Sequence, residues 1–321
     1  MVIYRPDVPI EQKEYSVFLH RGGVGDLLSQ LPAIKYVLDY HKHINLTLWA
    51  HDYAQDFLKK VFSSYSNINI TDLKNVEERL KGKQTITRSP YLHKVNNLAN
   101  PFTDHAFMTI VGTVPENKYK NYIKLDPVDV GHFNLPKDYA VFTTGYTSPV
   151  REWKFQYMEE VANYCTSKGV IPVFLGKDSV KATDEVSSRV NFGGQVDRLG
   201  VNLLNKTSLF EAHSIIAGAK VAIGVDNGLV PHLAAMTDTH IIAGFTTVNP
   251  MHRLPYRNDI QGYNMTAIYP SDKELACIGC QSNMNFAEPT HKFTTCYYND
   301  MACLDLMKPE LFIEALKKVG I

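Results

Sequence analysis

Two short turns carry the residues best suited to chemistry. The first, Gly224-Val225-Asp226-Asn227-Gly228, ends the apolar run Val221-Ala222-Ile223 and leads into Pro231-His232-Leu233-Ala234-Ala235. It reads as a buried strand giving way to a helix. A turn of that kind offers main-chain N–H groups and the positive end of a helix dipole to a phosphate or diphosphate. Asp226 and Asn227 add groups that bind hydroxyls. The same spacing also fits a plain strand–turn–helix corner. The second turn, Arg21-Gly22-Gly23-Val24-Gly25-Asp26, follows Ser16-Val17-Phe18-Leu19-His20 and precedes a helical pattern from Leu27 to Tyr40. A dinucleotide fingerprint starting at Gly23 would need glycine where Leu28 stands, and a Walker A loop would need lysine where Asp26 stands. A carboxylate there repels phosphate, but it caps a helix or accepts a proton.

The elements that must hold these turns alternate between strand and helix, the pattern of a parallel α/β protein. In the first half, strands are expected at 16–20, 44–49 and 68–70, and helices at 27–40, 53–62 and 73–81. Residues 82–100 read as polar and irregular, and 101–112 as a short helix ending at Gly112. Pro115, Pro127, Gly131 and Pro136 mark a connection. The pattern restarts with strands 139–143 and 171–175 around a helix at 155–168 closed by Gly169. Helices near 180–189 and at 208–218, strands 221–224 and 240–244, and an amphipathic helix opened by Pro309 complete it. The expected domains are 1–135 and 136–321, with the last helix free to pack back on the first domain. Two Rossmann-like domains facing across a cleft would place both turns at carboxyl ends of strands, where such sheets bind ligands.

Composition narrows the function. Apolar residues make up 45% of the 321 and charged residues 21%, so the chain folds around a substantial core. Lys+Arg and Asp+Glu both number 33. A net charge of zero disfavours a dedicated nucleic-acid binder, although a local basic face would remain compatible with one. No apolar run reaches membrane-spanning length, and the N-terminus lacks a signal-peptide core. The expectation is a cytoplasmic protein with peripheral membrane contact at most.

Five segments, in order, resemble glycosyltransferase family 9, the ADP-heptose:lipopolysaccharide heptosyltransferases. Arg21 to Asp26 with Leu31-Pro32-Ala33 is similar to the opening R-x-G-x-G-D signature. Thr143-Thr144-Gly145 with Arg151-Glu152-Trp153 resembles the h-x-G-A-S and K-x-W segment, arginine replacing lysine. Asn205-Lys206-Thr207-Ser208-Leu209 resembles G-K-T-S-L, with asparagine for glycine. Asp226-Asn227-Gly228 with His232 resembles D-S-G-x-x-H, the histidine six residues on from the aspartate instead of five. Phe245 to Tyr256 resembles the G-P-T loop, with Thr246-Thr247 in place of its start.

The resemblance implies a GT-B fold and transfer of a sugar from a nucleotide diphosphate donor, inverting at the anomeric carbon, with no catalytic metal or other cofactor. No D-x-D motif is present. Such a transfer needs a base for the acceptor hydroxyl and positive groups for the departing diphosphate. Asp26 is the candidate base, with Gly23, Gly25 and His105 on the acceptor side. Thr143, Thr144, Gly145, Arg151, Lys206, Asp226, Asn227, Gly228, His232 and Arg253 are the donor-side candidates. Each has a structural alternative: a surface charge for Arg151 and Lys206, a loop brace for Arg253, a buried structural imidazole for His105, and core packing for Trp153.

Cys277-Ile278-Gly279-Cys280 with Cys296 and Cys303 could ligate a structural zinc ion, form disulfides or remain free thiols. A cytoplasmic location disfavours disulfides. Cys165 is expected in a helix core. The leading function is transfer to a glycolipid or polysaccharide acceptor. Alternatives of the same fold are transfer to modified DNA bases or a protein, and non-catalytic binding of a nucleotide sugar.

Overall fold

A computed structural model describes residues 14–19, 24–74, 78, 86–88, 102–144, 149–176, 193–227, 229–253, 256–257, 260–261, 264–280, 296 and 298–321. They fall into two compact units, 1–125 with 256–260, and 126–255 with 261–321. Gly23, Gly145 and Gly228, and the helix expected near 180–189, lie outside the described residues.

The first unit is a four-stranded parallel sheet in the order β3-β2-β1-β4: β1 (Glu14–Leu19), β2 (Asn45–Ala50), β3 (Ile68–Asp72) and β4 (Ile86–Arg88). β1 is buried from its second residue onward, as a strand covered on both faces must be. Helix α1 (Val24–Tyr40) follows β1 and α2 (Asp52–Val61) follows β2. α3 (Phe102–Ile110) packs along α1, and Tyr15 Oη donates to Ile110 O at 2.5 Å, satisfying a buried hydroxyl. The helix expected at 101–112 is thus present, and Gly112 adopts φ 94 beyond its end. β4 was not foreseen, because it is only three residues long within a stretch read as irregular.

The second unit is a six-stranded parallel sheet in the order β12-β9-β8-β5-β6-β7. Its strands are β5 (Tyr139–Thr144), β6 (Ile171–Gly176), β7 (Val201–Asn202), β8 (Val221–Val225), β9 (His240–Gly244) and β12 (Met265–Ile268). In the chain, a ribbon of two short strands, β10 (Tyr256–Arg257) and β11 (Ile260–Gln261), precedes β12, and its residues 256–260 belong to the first unit. The chain winds outward from β5 to β7, then returns to β5's other side for β8, β9 and β12. That reversal makes the β5–β8 boundary the switch point, and a doubly wound sheet opens its crevice there, beyond the carboxyl ends of the strands.

Helices α4 (Phe155–Ser167), α5 (Gly193–Val196), α6 (Leu209–Ala217) and α7 (Pro309–Lys318) flank this sheet. Gly169 closes α4 at φ 75, a conformation glycine adopts without strain. Ser208 and Glu211 form a reciprocal capping box at the start of α6. α7 packs on α4, β9 and β12 of its own unit, where the sequence left it free to return to the first domain. Its Phe312 stacks on Trp153 at 4.2 Å between centroids, and Trp153 Nε1 donates to Met307 O. The tryptophan is therefore a packing residue. Cys165, fully buried in α4, is a core residue, its thiol pushed up to about 12 by burial.

Beyond β8 the structure departs from the expected α-helix. Leu229–Leu233 forms a π-type turn and Ala234–Met236 a 3-10 turn. Pro231 supplies no N–H to an α-helical ladder, and the Asn227 side-chain carbonyl accepts from Leu229 N and Val230 N. A helix dipole is not what this corner offers a ligand.

Candidate functional site

The ends of β5 and β8 are joined side chain to side chain at the switch point. Asn227 Nδ2 donates to Thr143 Oγ1 at 2.9 Å, and Thr143 Oγ1 donates in turn to Ile223 O. Gly224 is required here: a β-carbon would overlap Thr143's hydroxyl and crowd Val230. Thr143 and Asn227 thereby serve to lock the corner. Thr144, the last residue of β5, is 6% exposed, and among the described residues its hydroxyl has no hydrogen-bond partner.

Asp226 is the electrostatic centre. Its N–H donates to Gly244 O, extending the β8–β9 ladder by one residue. Its side chain is 7% exposed, and Oδ2 lies 3.6 Å from both Arg151 Nε and Arg253 Nε. The arginines come from short 3-10 segments, Arg151 ending Pro149–Arg151 and Arg253 following Pro250–His252. Both guanidinium side chains are largely buried, at 16% and 17% exposure. Burial alone would push the Asp226 carboxyl up, but Arg253 and Arg151, helped by His232, outweigh it and hold the pKa below the usual value. His232 is buried on the π-type turn. Burial, reinforced by Arg253 and opposed by Asp226, lowers its pKa to about 4. Near neutral pH the imidazole is uncharged, so two guanidiniums meet one carboxylate. A guanidinium fork suits the paired oxygens of phosphate.

Two sequence candidates fall elsewhere. Lys206 is exposed after β7, with Nζ donating to Asn202 O at 2.8 Å. β7 is three strand steps from β8, roughly 14 Å at normal spacing. Asn205 beside it adopts φ 60, a left-handed conformation asparagine tolerates, which accounts for asparagine where the resembling segment has glycine. In the first unit, Asp26 lies in the first turn of α1, two residues inside it, so it is not the helix's N-cap. Its carbonyl accepts from Ser29 Oγ and Gln30 Nε2. Tyr53, in the first turn of α2, has its phenol pushed up by burial and by the Asp26 charge. Gly25 is buried beside Asp26, and His105 is half-buried on α3. Sequence reading passed over Tyr53 because only the β1–β2 pairing brings the two helix starts side by side.

The four late cysteines line one cavity of about 20 Å³, with Thr246 and Thr247 among its walls. The Thr247 hydroxyl is buried and, among the described residues, has no hydrogen-bond partner. Burial and the neighbouring cysteines push the Cys303 thiol up to about 12, and burial, Cys296 and Asp300 raise Cys277. Among the described residues, no three histidine, cysteine or acidic side chains stand in metal-binding geometry, and no helix is long and apolar enough to cross a membrane.

No curated protein sequence matches the chain. Solved structures do. TibC, an iron-containing dodecameric glycosyltransferase from enterotoxigenic E. coli H10407, superposes with a TM-score of 0.70 at 16% identity, covering 97% of this chain and 77% of that one. A second structure of TibC, in complex with ADP-D-β-D-heptose, gives a TM-score of 0.68 at the same identity and coverage. A family 9 glycosyltransferase from Veillonella parvula DSM 2008 gives 0.64 at 15% identity, with 98% and 99% covered. E. coli ADP-heptose lipopolysaccharide heptosyltransferase II gives 0.58 at 14%, with 95% and 100% covered. At these identities the likeness establishes the fold, which is of the GT-B type. The model of glycosyltransferase family 9 (heptosyltransferase) matches residues 79–277, more than half of the sequence. The chain therefore belongs to glycosyltransferase family 9 and is a heptosyltransferase-like glycosyltransferase.

Proposed function

We propose that the enzyme transfers a sugar from a nucleoside diphosphate to a hydroxyl of a glycolipid or polysaccharide, inverting the anomeric carbon without a catalytic metal ion. The observation that carries this reading is the pair of buried guanidiniums converging on Asp226 at the switch point. The acceptor oxygen attacks the anomeric carbon, the bond to the diphosphate breaks, and the hydroxyl proton passes to the Asp26 carboxylate. Arg151 and Arg253 take up the charge that develops on the diphosphate. Thr144, whose hydroxyl is buried without a partner among the described residues, donates to a phosphate oxygen. Residues 1–135 would then carry the acceptor and 136–321 the donor, in the cytoplasm.

The donor is tested by calorimetric titration of ADP, UDP and GDP and then of their sugars, beginning with ADP-heptose because a TibC structure holds it. Saturable binding of one diphosphate, lost in Arg151→Ala, is the expected result. Absence of binding to all of them overturns the donor-site reading.

The four cysteines also suit a structural metal ion. All four are among the residues that line one cavity, and thiolates are the ligands zinc and iron take in closed four-cysteine sites. Zinc is the ion the sequence suggests, and TibC is described as iron-containing. Binding would draw the four cysteines together and release their thiol protons. Elemental analysis and native mass spectrometry with and without chelator decide it, and a metal-free protein with four titratable late thiols would reject the proposal.

A further inference from the structure

The thiol cavity and the arginine corner share a wall. Thr246, two residues past β9, lines both the cysteine cavity and the crevice formed with Arg151, Glu152 and Asp226. It is 6% exposed, and its hydroxyl donates to Val150 O at 3.1 Å, the carbonyl directly before Arg151. On the main chain, Thr246 O accepts from Gly279 N at 2.7 Å, inside the Cys277–Cys280 turn. Gly279 adopts φ 71, and a β-carbon there would run into the Tyr269 hydroxyl. The turn therefore has little room to shift without pulling on Thr246.

One residue is thus tied on one side to the peptide that aims Arg151 and on the other to the Cys277–Cys280 turn of the thiol cluster. Holding Val150 O fixes the peptide plane from which the Arg151 side chain departs. A three-residue 3-10 turn has too few internal hydrogen bonds to fix that plane alone. Thr246 replaces the start of a G-P-T segment in the resembling family, so this tether belongs to the chain's own sequence.

We propose that Thr246 is a positioning residue that couples the thiol cavity to Arg151, so that modifying the thiols changes affinity for a nucleoside diphosphate. The proposal rests on Arg151 binding the donor diphosphate. Coupling between two sites is reciprocal: if altered thiols weaken nucleotide binding, bound nucleotide must protect the thiols by the same factor.

The test measures alkylation of each cysteine by iodoacetamide, read by peptide mass spectrometry, with and without saturating ADP. It also measures ADP affinity of the protein before and after alkylation. The full chain is used, with Thr246→Val removing the hydroxyl at constant shape and Thr246→Ser restoring it. We expect ADP to slow alkylation of Cys303 or Cys280 by about fivefold or more, and alkylation to weaken ADP binding by a similar factor. Thr246→Val should abolish both effects and Thr246→Ser should keep them. Equal alkylation with and without ADP in the parent protein overturns the proposal, and so does protection that survives Thr246→Val. If Thr246→Val does not fold, the parent and Thr246→Ser measurements still decide. An Arg151→Ala variant that binds ADP as tightly as the parent overturns the donor-site reading and this coupling with it. Weakened binding in Arg151→Ala, with thiol effects that ignore Thr246, overturns the coupling alone.

Discussion

Asn227 and Thr143 lie 84 positions apart in sequence, and a 2.9 Å hydrogen bond joins their side chains across the β5–β8 boundary. That bond closes the carboxyl ends of the two strands that flank the switch point. With its other face the Asn227 amide accepts from two main-chain N–H groups of the following turn, so one side chain fixes both strand ends and the exit of the chain. Asn227→Ala removes all three bonds and leaves part-buried donors without this partner. Loss of about 1–3 kcal/mol is expected, visible as a lower urea midpoint at unchanged slope. Asn227→Asp keeps the accepting oxygens and loses the donation to Thr143, so its cost should be smaller. A variant as stable as the parent would show that the corner is held by the strands alone.

Arg151→Ala should weaken nucleoside diphosphate binding by about 1.5–3 kcal/mol, the range for hydrogen bonds to a charged group. Arg253→Ala should act similarly. Because both guanidiniums meet the same carboxylate oxygen, their effects should not add. With one gone, the other is drawn closer to Asp226 and is less available to phosphate. A double-mutant cycle on diphosphate affinity measures this, and strict additivity would show that the arginines act independently.

Acid should unfold the second unit early. The His232 pKa is about 4 in the folded protein and about 6.5 in an unfolded chain. Between those values the unfolded chain holds the extra proton, so stability rises with pH through this window. The full penalty is present below about 4 and vanishes above about 6.5, and the gap corresponds to roughly 3 kcal/mol. Asp226 acts in the same direction at lower pH: its lowered pKa contributes stability above its ordinary value of 3.8 that is lost as pH falls further. Urea unfolding at pH 4.5 and 7 should show the difference, and His232→Gln should flatten it. An equally steep fall in the variant would assign the acid sensitivity to other groups.

The sequence made the strands legible because parallel strands buried on both faces are continuous apolar runs, as in β5, β8 and β9. It did not reveal β4, β7 or β12, whose few residues leave too little pattern to distinguish them from loop. Asp226 stood out as a charge at the end of a buried run, but its pairing with two arginines 75 and 27 positions away depends on the fold alone. The extra residue between Asp226 and His232 has a structural explanation. The wider turn at Leu229–Leu233 takes in one more residue than an α-turn, which leaves the imidazole close enough to feel the Asp226 charge. The segment holding Lys206 was read for a surface charge or a phosphate contact, and the reading did not foresee that Ser208 within it caps α6.

Asp26 offers the sharpest test of the enzyme's chemistry. It lies in the first turn of α1, directly after the glycine-rich segment. A carboxylate there is stabilised by the helix terminus, an effect of about 0.3–1 kcal/mol at an exposed site. If that were its whole role, Asp26→Asn would cost no more than this in stability and leave turnover near normal. As the base, Asp26 must accept the acceptor's proton while the new glycosidic bond forms, and asparagine cannot. Asp26→Asn should then fold normally, bind nucleoside diphosphate with unchanged affinity because its place is on the acceptor side, and transfer sugar about 10²–10⁴-fold more slowly. Asp26→Glu keeps the carboxylate but displaces it, so turnover should recover only in part. Turnover, melting temperature and diphosphate affinity measured on both variants separate the roles. An active Asp26→Asn enzyme would move the base elsewhere, and His105 would be the next residue to replace.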